Sequence, residues 1–469
     1  MSDAVRAADA APRPVTGPRI ARLARQLEAA RDAAARDALT EAFWDGVTRS
    51  GTPLVEALDD APGHRAVTFL WRGHRATRQV LLMATGIGDR DRPADSLLHH
   101  LPGTDIWYLG YRLRADHRGS YRLVADISPG PAPADPVRLQ RRLVALMAHG
   151  VADPLNPRRL PVRWRAVENS VFALPEAPPQ PWAGRRTGIG RGTVERHTVT
   201  GRALGEEREV WAYLPPEGAG HAAGPGADGP LPVLVLCDGD MWFGRLGFQD
   251  ALDALIADGA LPPLVVLAPD AVDAATRRRD LGGREAYAAF LADELLPWAR
   301  ARWPLTADAD RTAVSGQGFG GAAALYAGLT RPERFGRVLV QSPSPGWSPG
   351  EGPRTDGGER CTDSGGPRTG ADRQRTDSGE WRTDVGGPRS DSGESARPVV
   401  HLGLGLQDGA AAAEHGEALV AVLRARGHRV VRTVHNGGRD HACWQGLLVD
   451  ALVEAFRQEW PADGLHARA

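Results

Sequence analysis

The feature that most constrains the fold is a glycine-rich segment between a strand-like run and a helix-forming run. Residues 314–321 read Val-Ser-Gly-Gln-Gly-Phe-Gly-Gly, and the helix-forming run 322–327 follows them. A strand, a sharp glycine-rich turn and a helix make up the nucleophile elbow, whose motif is G-x-S-x-G. Gly316 and Gly320 fill the flanking positions, where the strained turn needs small residues, and Gly318 stands at the serine position. The segment predicts a hydrolase-type turn without its attacking hydroxyl.

Strand-like and helix-like runs alternate from about residue 193 onward. The apolar runs predict strands at 208–214, 233–237, 264–268, 311–315, 338–341, 399–402 and 430–434. The helical runs between and after them lie at 250–257, 285–303, about 411–426 and 442–458. Because continuously apolar strands that alternate with helices indicate a parallel sheet covered on both faces, the expected fold class is α/β. The elbow makes this region, residues 193–469, an expected α/β-hydrolase domain.

The N-terminal part has a different pattern. Residues 1–40 are rich in Ala and Arg with helical spacing, and predict a frayed start followed by a helix. In residues 41–175, short β-prone runs separated by turn-like clusters predict a smaller antiparallel β-sandwich domain. Residues 176–192 are rich in Pro and Gly and predict a linker.

Residues 350–397 interrupt the α/β alternation with a repetitive polar segment. The triplet Arg-Thr-Asp recurs at 354–356, 375–377 and 382–384. Because apolar residues are nearly absent, the segment cannot bury enough surface to offset its ordering entropy. We expect a disordered insertion in a surface loop, and a partner-binding role stays open as the alternative.

Composition excludes several classes of function. The chain has 469 residues, enough for two domains, and its formal net charge of -1 gives no electrostatic case for nucleic acid or an anionic membrane. Cys237, Cys361 and Cys443 are too widely spaced for a disulfide framework or a zinc site, so no metal site is expected. The first residues lack the apolar core of a secretory signal, and no apolar run is long enough to span a membrane. We therefore expect a cytoplasmic protein.

Short motifs that are weak individually occur together along the chain. Their positions are 103–108 (Gly-Thr-Asp-Ile-Trp-Tyr), 152–157 (Ala-Asp-Pro-Leu-Asn-Pro), 277–281 (Arg-Arg-Arg-Asp-Leu), 332–336 (Pro-Glu-Arg-Phe-Gly) and 437–444 (Gly-Gly-Arg-Asp-His-Ala-Cys-Trp). Together they resemble the enterobactin (enterochelin) esterase family, over nearly the whole chain outside the first forty residues and the insertion. The resemblance implies a cytoplasmic hydrolase whose small-molecule partner is a ferric catecholate siderophore. It implies no cofactor, since iron arrives only as part of the siderophore.

The resemblance also assigns the catalytic positions, two of which carry unexpected residues. A serine esterase needs a nucleophile, a histidine base and an acid that orients the base. Gly318 occupies the nucleophile position, and Arg439 stands where the family has the histidine of Gly-Gly-His-Asp. Asp408 fits the position of the acid, in the loop after the strand near residue 402. His441 is either a replacement base or a surface histidine at the start of the last helix, and the sequence leaves both open.

Other residues are candidates for binding. The expected oxyanion-hole donors are backbone N–H groups, those of Phe319 and of Asp240 or Met241. Arg277 and Arg279 are expected to contact the anionic siderophore, since guanidinium suits anionic oxygens, with pairing to nearby aspartates as the alternative. Arg118 either reaches over the pocket from the other domain or forms a salt bridge between the domains.

Two functions follow from the substitutions. The first is an esterase that cleaves the ester backbone of a ferric catecholate siderophore and so serves cytoplasmic iron release. The alternative is a catalytically impaired protein that binds the ferric siderophore without hydrolysing it. Loss of a nucleophile costs about six orders of magnitude in rate, with roughly three to four remaining over water. We therefore expect weak or no hydrolysis with binding retained, and a degenerating gene copy stays open as a third interpretation.

Overall fold

The computed structural model describes most of the chain in five ranges. These are residues 10–88, 91–130, 133–218, 229–345 and 397–457. The insertion expected over 350–397 lies outside the described residues, apart from Arg397. Within the described ranges no helix is long and apolar enough to cross a membrane, and no three His, Cys, Asp or Glu side chains are arranged to hold a metal ion.

Within the described residues, the N-terminal part contains two sheets and three α-helices. The helices are α1 (Pro18–Ala29), α2 (Ala33–Ser50) and α3 (Pro136–Leu146). The strands are β1 (Arg13–Pro14), β2 (Leu54–Ala57), β3 (His64–Arg72), β4 (Gln79–Ala84), β5 (His99–His100), β6 (Ile106–Arg114), β7 (Arg118–Asp126), β8 (Arg159–Pro161) and β9 (Glu168–Ala173). The apolar face of α1 packs on α2.

The two N-terminal sheets form an antiparallel sandwich. One has the order β1-β6-β3-β2 with β5 beside β6, and the other has the order β4-β7-β9-β8. Their inner faces share one apolar core, in which the ring of Phe69 meets Tyr121 at 4.7 Å and Phe172 at 5.6 Å. Phe69 belongs to the first sheet and the other two rings to the second, so the expected β-sandwich is confirmed.

The C-terminal part alternates strands and helices. The strands are β10 (Thr193–Gly201), β11 (Glu206–Leu214), β12 (Val233–Leu236), β13 (Val265–Pro269), β14 (Thr312–Gln317), β15 (Arg337–Gln341), β16 (Val399–Gly405) and β17 (Val430–His435). The helices are α4 (Gly239–Trp242), α5 (Gln249–Ala257), α6 (Ala274–Asp280), α7 (Glu285–Ala289), α8 (Leu296–Arg300), α9 (Phe319–Thr330), α10 (Ala410–Ala425) and α11 (His441–Phe456). A π-helical turn, Phe290–Leu295, joins α7 to α8.

These strands form one eight-stranded sheet with the order β10-β11-β13-β12-β14-β15-β16-β17. The six strands β12 to β17 pair in parallel, and β10 and β11 add an antiparallel edge. In β12, Val233 and Val235 belong to one core, and Leu234 and Leu236 to the other, because alternate side chains point to opposite faces. A sheet covered on both faces confirms the expected α/β class. β10 was not predicted, because its side chains are mostly polar and half-exposed.

Candidate active site

The ends of four parallel strands bring the candidate residues to one edge of the large sheet. β12 is followed by Asp238, β14 by Gly318, β16 by the loop that contains Asp408, and β17 by the loop that contains Arg439. Because the carboxyl ends of parallel strands lie at the same edge, residues far apart in sequence converge there. The edge is therefore where a ligand would meet all four loops.

Gly318 lies at the apex of the turn between β14 and α9, as expected. Its φ of 59° and ψ of -118° are accessible mainly to glycine. The turn is tight, since a Cβ atom on Gly316 would lie 2.1 Å from the carbonyl oxygen of Gly320. Gly318 donates its N–H to the carbonyl of Gln341 (3.1 Å) and accepts a hydrogen bond from the N–H of Ser344 (2.9 Å). The backbone of a nucleophile elbow is thus present without a side chain at its apex.

Buried hydrogen bonds stabilise this turn and the loop beside it. The indole Nε1 of Trp242 donates to Oε1 of Gln317 (2.9 Å), and Nε2 of Gln317 donates to Oε1 of Gln341 (2.7 Å). On the neighbouring loop, Nε1 of Trp444 donates to the hydroxyl of Ser342 (3.1 Å). Fully satisfied buried networks of this kind rigidify the elements they join.

Arg439 reaches the loop beside the elbow. Its Nη1 donates to the carbonyl oxygens of Ser342 (2.8 Å) and Pro343 (3.4 Å), and its Nη2 donates to the hydroxyl of Ser344 (2.7 Å). The N–H of Ser344 in turn donates to Gly318, so one residue separates the guanidinium from the elbow. A guanidinium stays protonated in proteins and has no acceptor, so Arg439 cannot take a proton from a nucleophile.

Asp408 lies at the sheet edge between the last two strands. Its Oδ2 accepts a hydrogen bond from the N–H of Gly405 (2.9 Å). Burial raises the pKa of Asp408, and the nearby charges of His435 and Arg439 oppose that rise in part. Asp408 therefore lies close to the residue at the base position, but that residue is an arginine.

His441 begins α11 and lies beside two indole rings. Its ring centroid is 5.9 Å from that of Trp242 and 5.0 Å from that of Trp444. Burial lowers the pKa of His441 to about 3, although the charge of Asp238 favours the protonated ring. Among the described residues its ring makes no hydrogen bond, and Asp408 does not orient it. The side chain is half-buried between aromatic rings, which matches neither a triad base nor a fully exposed histidine.

The expected oxyanion-hole donors lie at two helix starts. Phe319 is the first residue of α9, and the first N–H groups of a helix have no acceptor inside it. Asp240 occupies the same kind of position in α4. The N–H of Met241 is already donated to the carbonyl of Asp238 (3.0 Å). Phe319 and Asp240 are therefore the better candidates for donors.

A buried aspartate binds two arginines next to the elbow. Asp238 has a φ of 71° and a side chain 2 % exposed; it accepts two hydrogen bonds from Arg277, both of 2.8 Å, and one from Arg163 of 2.9 Å. Burial alone would raise the pKa of Asp238, but these two cations hold it well below its ordinary range. Arg163 also lies 3.1 Å from Asp240, and the guanidinium of Arg277 lies 5.6 Å from the ring centroid of Phe319.

The sequence did not identify Arg163. It lies in the loop between β8 and β9 of the N-terminal sandwich, 75 residues before its partner Asp238. No local pattern marks such a residue, because its role depends on the packing of one domain against the other. The pair Arg163–Asp238 shows that the N-terminal domain contributes a side chain to the site.

The other two candidate arginines have partners outside the cluster. The exposed Arg279 donates to Asp280 (2.7 Å), the aspartate pairing that the sequence left open, and also to Glu206 (2.7 Å). Arg118 donates to the carbonyl of Pro178 in the expected linker (2.7 Å), and burial lowers the pKa of Arg118. Neither contact brings these guanidinium groups to Gly318.

The loop before α11 is attached to the N-terminal domain. Oδ2 of Asp440 accepts from the N–H of Ser120 (2.7 Å), while its Oδ1 caps α11 by accepting from the N–H of Ala442 (2.9 Å). His117 Nδ1 and Asn436 Oδ1 lie 3.3 Å apart. The position of Arg439 is therefore fixed by both domains.

Comparison with known proteins identifies the family. A family model described as "Putative esterase" matches residues 201–455, and one described as "Enterochelin esterase, N-terminal" matches residues 66–183. An Iron(III) enterobactin esterase from Dickeya dadantii is 35% identical over 440 residues, covering 88% of this chain and 92% of the relative. The chain belongs to the enterobactin esterase family. By family it is a carboxylic-ester hydrolase.

Other members of the enterobactin esterase family agree with this assignment. An Iron(III) salmochelin esterase from Escherichia coli O6:H1 is 33% identical, covering 87% of this chain and 92% of the relative. Among solved structures, the ferric enterobactin esterase from Salmonella typhimurium has a TM-score of 0.68 and 27% identity, covering 89% and 99% of the two chains. The enterobactin esterase from Shigella flexneri, in the presence of enterobactin, has a TM-score of 0.67 and 25% identity, covering 90% and 99%.

Proposed function

We propose that this chain is an enterobactin-esterase-type protein that binds ferric catecholate siderophores in the cytoplasm and hydrolyses them weakly or not at all. The observation that carries the proposal is the pair of residues at the elbow and at the base position. Gly318 has no hydroxyl, and Arg439 is a permanent cation that donates to Ser342, Pro343 and Ser344. Acyl transfer needs a nucleophile and a base, so the family reaction lacks two of its groups.

The groups that would hold a ligand remain. Phe319 and Asp240 have N–H groups at helix starts, which suit an oxygen that carries negative charge. Arg277 and Arg163 are held at the same edge by Asp238, and guanidinium groups bind anionic oxygens through charge-assisted hydrogen bonds. Iron would enter as part of the siderophore, with no resident cofactor. These features support retained binding in iron transport.

Hydrolysis is the second candidate function, and the match over nearly the whole length of the relatives favours it. It would require a replacement nucleophile or base. His441 is a weak base, since burial lowers its pKa to about 3, and the hydroxyl of Ser344 accepts a hydrogen bond from a cation. Because neither group is activated in the way acyl transfer requires, we favour binding without efficient hydrolysis.

The test measures binding and hydrolysis on the same sample. Ferric enterobactin is titrated into the full-length chain while tryptophan fluorescence is followed, and the mixture is then analysed for 2,3-dihydroxybenzoylserine by chromatography. We expect saturable binding with turnover far below the ordinary range of about 1–1000 per second. Turnover within that range would refute the impaired-hydrolysis proposal, and absence of binding would refute the siderophore role. If hydrolysis is found, His441→Ala is the first variant to examine.

A further inference from the structure

Arg439 differs from Arg163 and Arg277 in forming no ion pair with a described residue. Its described contacts are two backbone carbonyls and one hydroxyl, all neutral, and it forms no ion pair with any carboxylate of the described residues. Arg163 and Arg277, in contrast, share the carboxylate of Asp238. Asp408 acts on this half-buried cation only at a distance, so an anion that hydrogen-bonds to Arg439 directly would be favourable there.

The guanidinium of Arg439 has N–H groups that its described contacts do not use. It carries five N–H groups, and the hydrogen bonds to Ser342, Pro343 and Ser344 involve only Nη1 and Nη2. Its Nε–H and one N–H of Nη2 therefore lack an acceptor among the residues that the structure describes. Asp408 is near enough for its charge to act on Arg439, but its Oδ2 accepts from the N–H of Gly405 and its buried Oδ1 has no hydrogen-bond partner among the described residues, so it does not use these donors.

One residue, Ser344, separates this guanidinium from the vacated nucleophile position. Ser344 connects the elbow to Arg439: its N–H donates to the carbonyl of Gly318, and its hydroxyl accepts from Arg439. The twelve-residue helix α9 starts directly after Gly318, and the start of a helix favours negative charge. A fixed cation beside a turn without a side chain is suited to a planar anion where an acylated serine would otherwise stand.

We propose that Arg439 binds the free carboxylate of a catecholate amino acid, the product class of ester hydrolysis, so that the site prefers cleaved siderophore over the intact trilactone. The proposal rests on the proposed function, because it places the ligand in the same site. Each ester that is cleaved yields one carboxylate, and guanidinium binds carboxylate through two parallel hydrogen bonds. An intact trilactone has only ester groups at these positions and no anion to offer Arg439.

The test compares two ligands that differ in one group. 2,3-Dihydroxybenzoylserine carries the carboxylate, and its carboxamide has the same shape without the charge. By isothermal titration calorimetry, the unmodified protein is expected to bind the acid about 10- to 100-fold more tightly than the carboxamide, the usual gain from a hydrogen bond to a charged group. In Arg439→Gln the ratio should fall to near one while the carboxamide affinity stays unchanged.

Two further variants provide a charge-retaining substitution and a matched control. Arg439→Lys retains the charge but not the fork of donors, so it should keep part of the preference for the acid. Arg186→Gln is the matched control, because Arg186 forms an exposed ion pair with Asp258 away from the site, and it should leave both affinities unchanged. The carboxamide affinity reports folding, since a disrupted site would lose both ligands.

The outcomes separate the two proposals. Equal affinity for acid and carboxamide in the unmodified protein overturns the role of Arg439 and leaves siderophore binding standing. A preference for the acid that survives unchanged in both Arg439→Gln and Arg439→Lys also overturns it, because another cation then carries the charge recognition. If neither ligand nor ferric enterobactin binds, the proposed function fails and this inference fails with it.

Discussion

The two sides of the site differ in how their charges are compensated. On one side, Asp238 is buried and binds both Arg163 and Arg277. On the other side, Arg439 donates only to neutral groups among the described residues, and Gly318 offers no side chain at all. The ion-pair cluster joins two domains and so contributes to structure whether or not the reaction occurs. The catalytic groups can therefore be lost at Gly318 and Arg439 while the ion-pair cluster around Asp238 keeps its geometry.

The largest effect on stability is expected on the compensated side. Asp238→Asn keeps the shape of the side chain but removes the carboxylate that the largely buried Arg277 and Arg163 share, and only Arg163 keeps Asp240 nearby, so the change should cost about 3–5 kcal/mol of unfolding free energy. Urea denaturation measures the change. Asp258→Asn, which removes the partner of Arg186 in an exposed pair, is the control and should cost less than about 1 kcal/mol. Equal costs for the two variants would show that the cluster is not a structural element.

The same aspartate predicts a pH dependence. Its pKa is lower in the folded chain than in the unfolded chain, so its stabilising effect is present above the unfolded value of about 3.9 and is lost as pH falls through the lower folded value. The difference in stability between the unmodified protein and Asp238→Asn should accordingly shrink as the pH falls below the pKa of an ordinary aspartate. A difference that stays constant over that range would contradict the assigned ion pairs.

A smaller effect is expected at the elbow. Gly318→Ala places a side chain at a φ of 59°, which should cost about 1–3 kcal/mol. Gly63 is the matched control, because its φ is not positive and a Cβ there would meet nothing within 4 Å. Gly63→Ala should be neutral or slightly stabilising. If both substitutions have the same effect in urea denaturation, the turn is not strained.

The smallest effect is expected at Arg279. Asp280 keeps a second cation, Arg208, at 2.6 Å when Arg279 is changed, so Arg279→Gln should cost no more than about 1 kcal/mol. It should also leave siderophore affinity unchanged. Arg277→Gln should weaken siderophore affinity about tenfold or more, because it removes a charged donor at the site. Equal losses of affinity in the two variants, measured by fluorescence titration, would place both arginines in the pocket.

Local patterns predicted the fold better than the site. Apolar strands and the elbow around Gly318 follow from residues that are adjacent in the chain, so their positions were found within one to three residues. The polar strand β10 lacks such a pattern and was missed. Arg277 and Arg279 are two residues apart on α6, where side chains do not face each other, so only one of them reaches Asp238. Arg163 was not predictable, because a different domain supplies its partner.

The central claim is that two substitutions removed the chemistry from a scaffold that is still organised for it. The most direct test is restoration, in which Gly318→Ser and Arg439→His are combined while Asp408 stays in place. Hydrolysis of ferric enterobactin by the double variant should exceed that of the unmodified protein by about a thousandfold or more, and neither single variant should approach this, because nucleophile and base act as a unit. A double variant that folds, binds the siderophore and hydrolyses it no faster than the unmodified protein would contradict the claim.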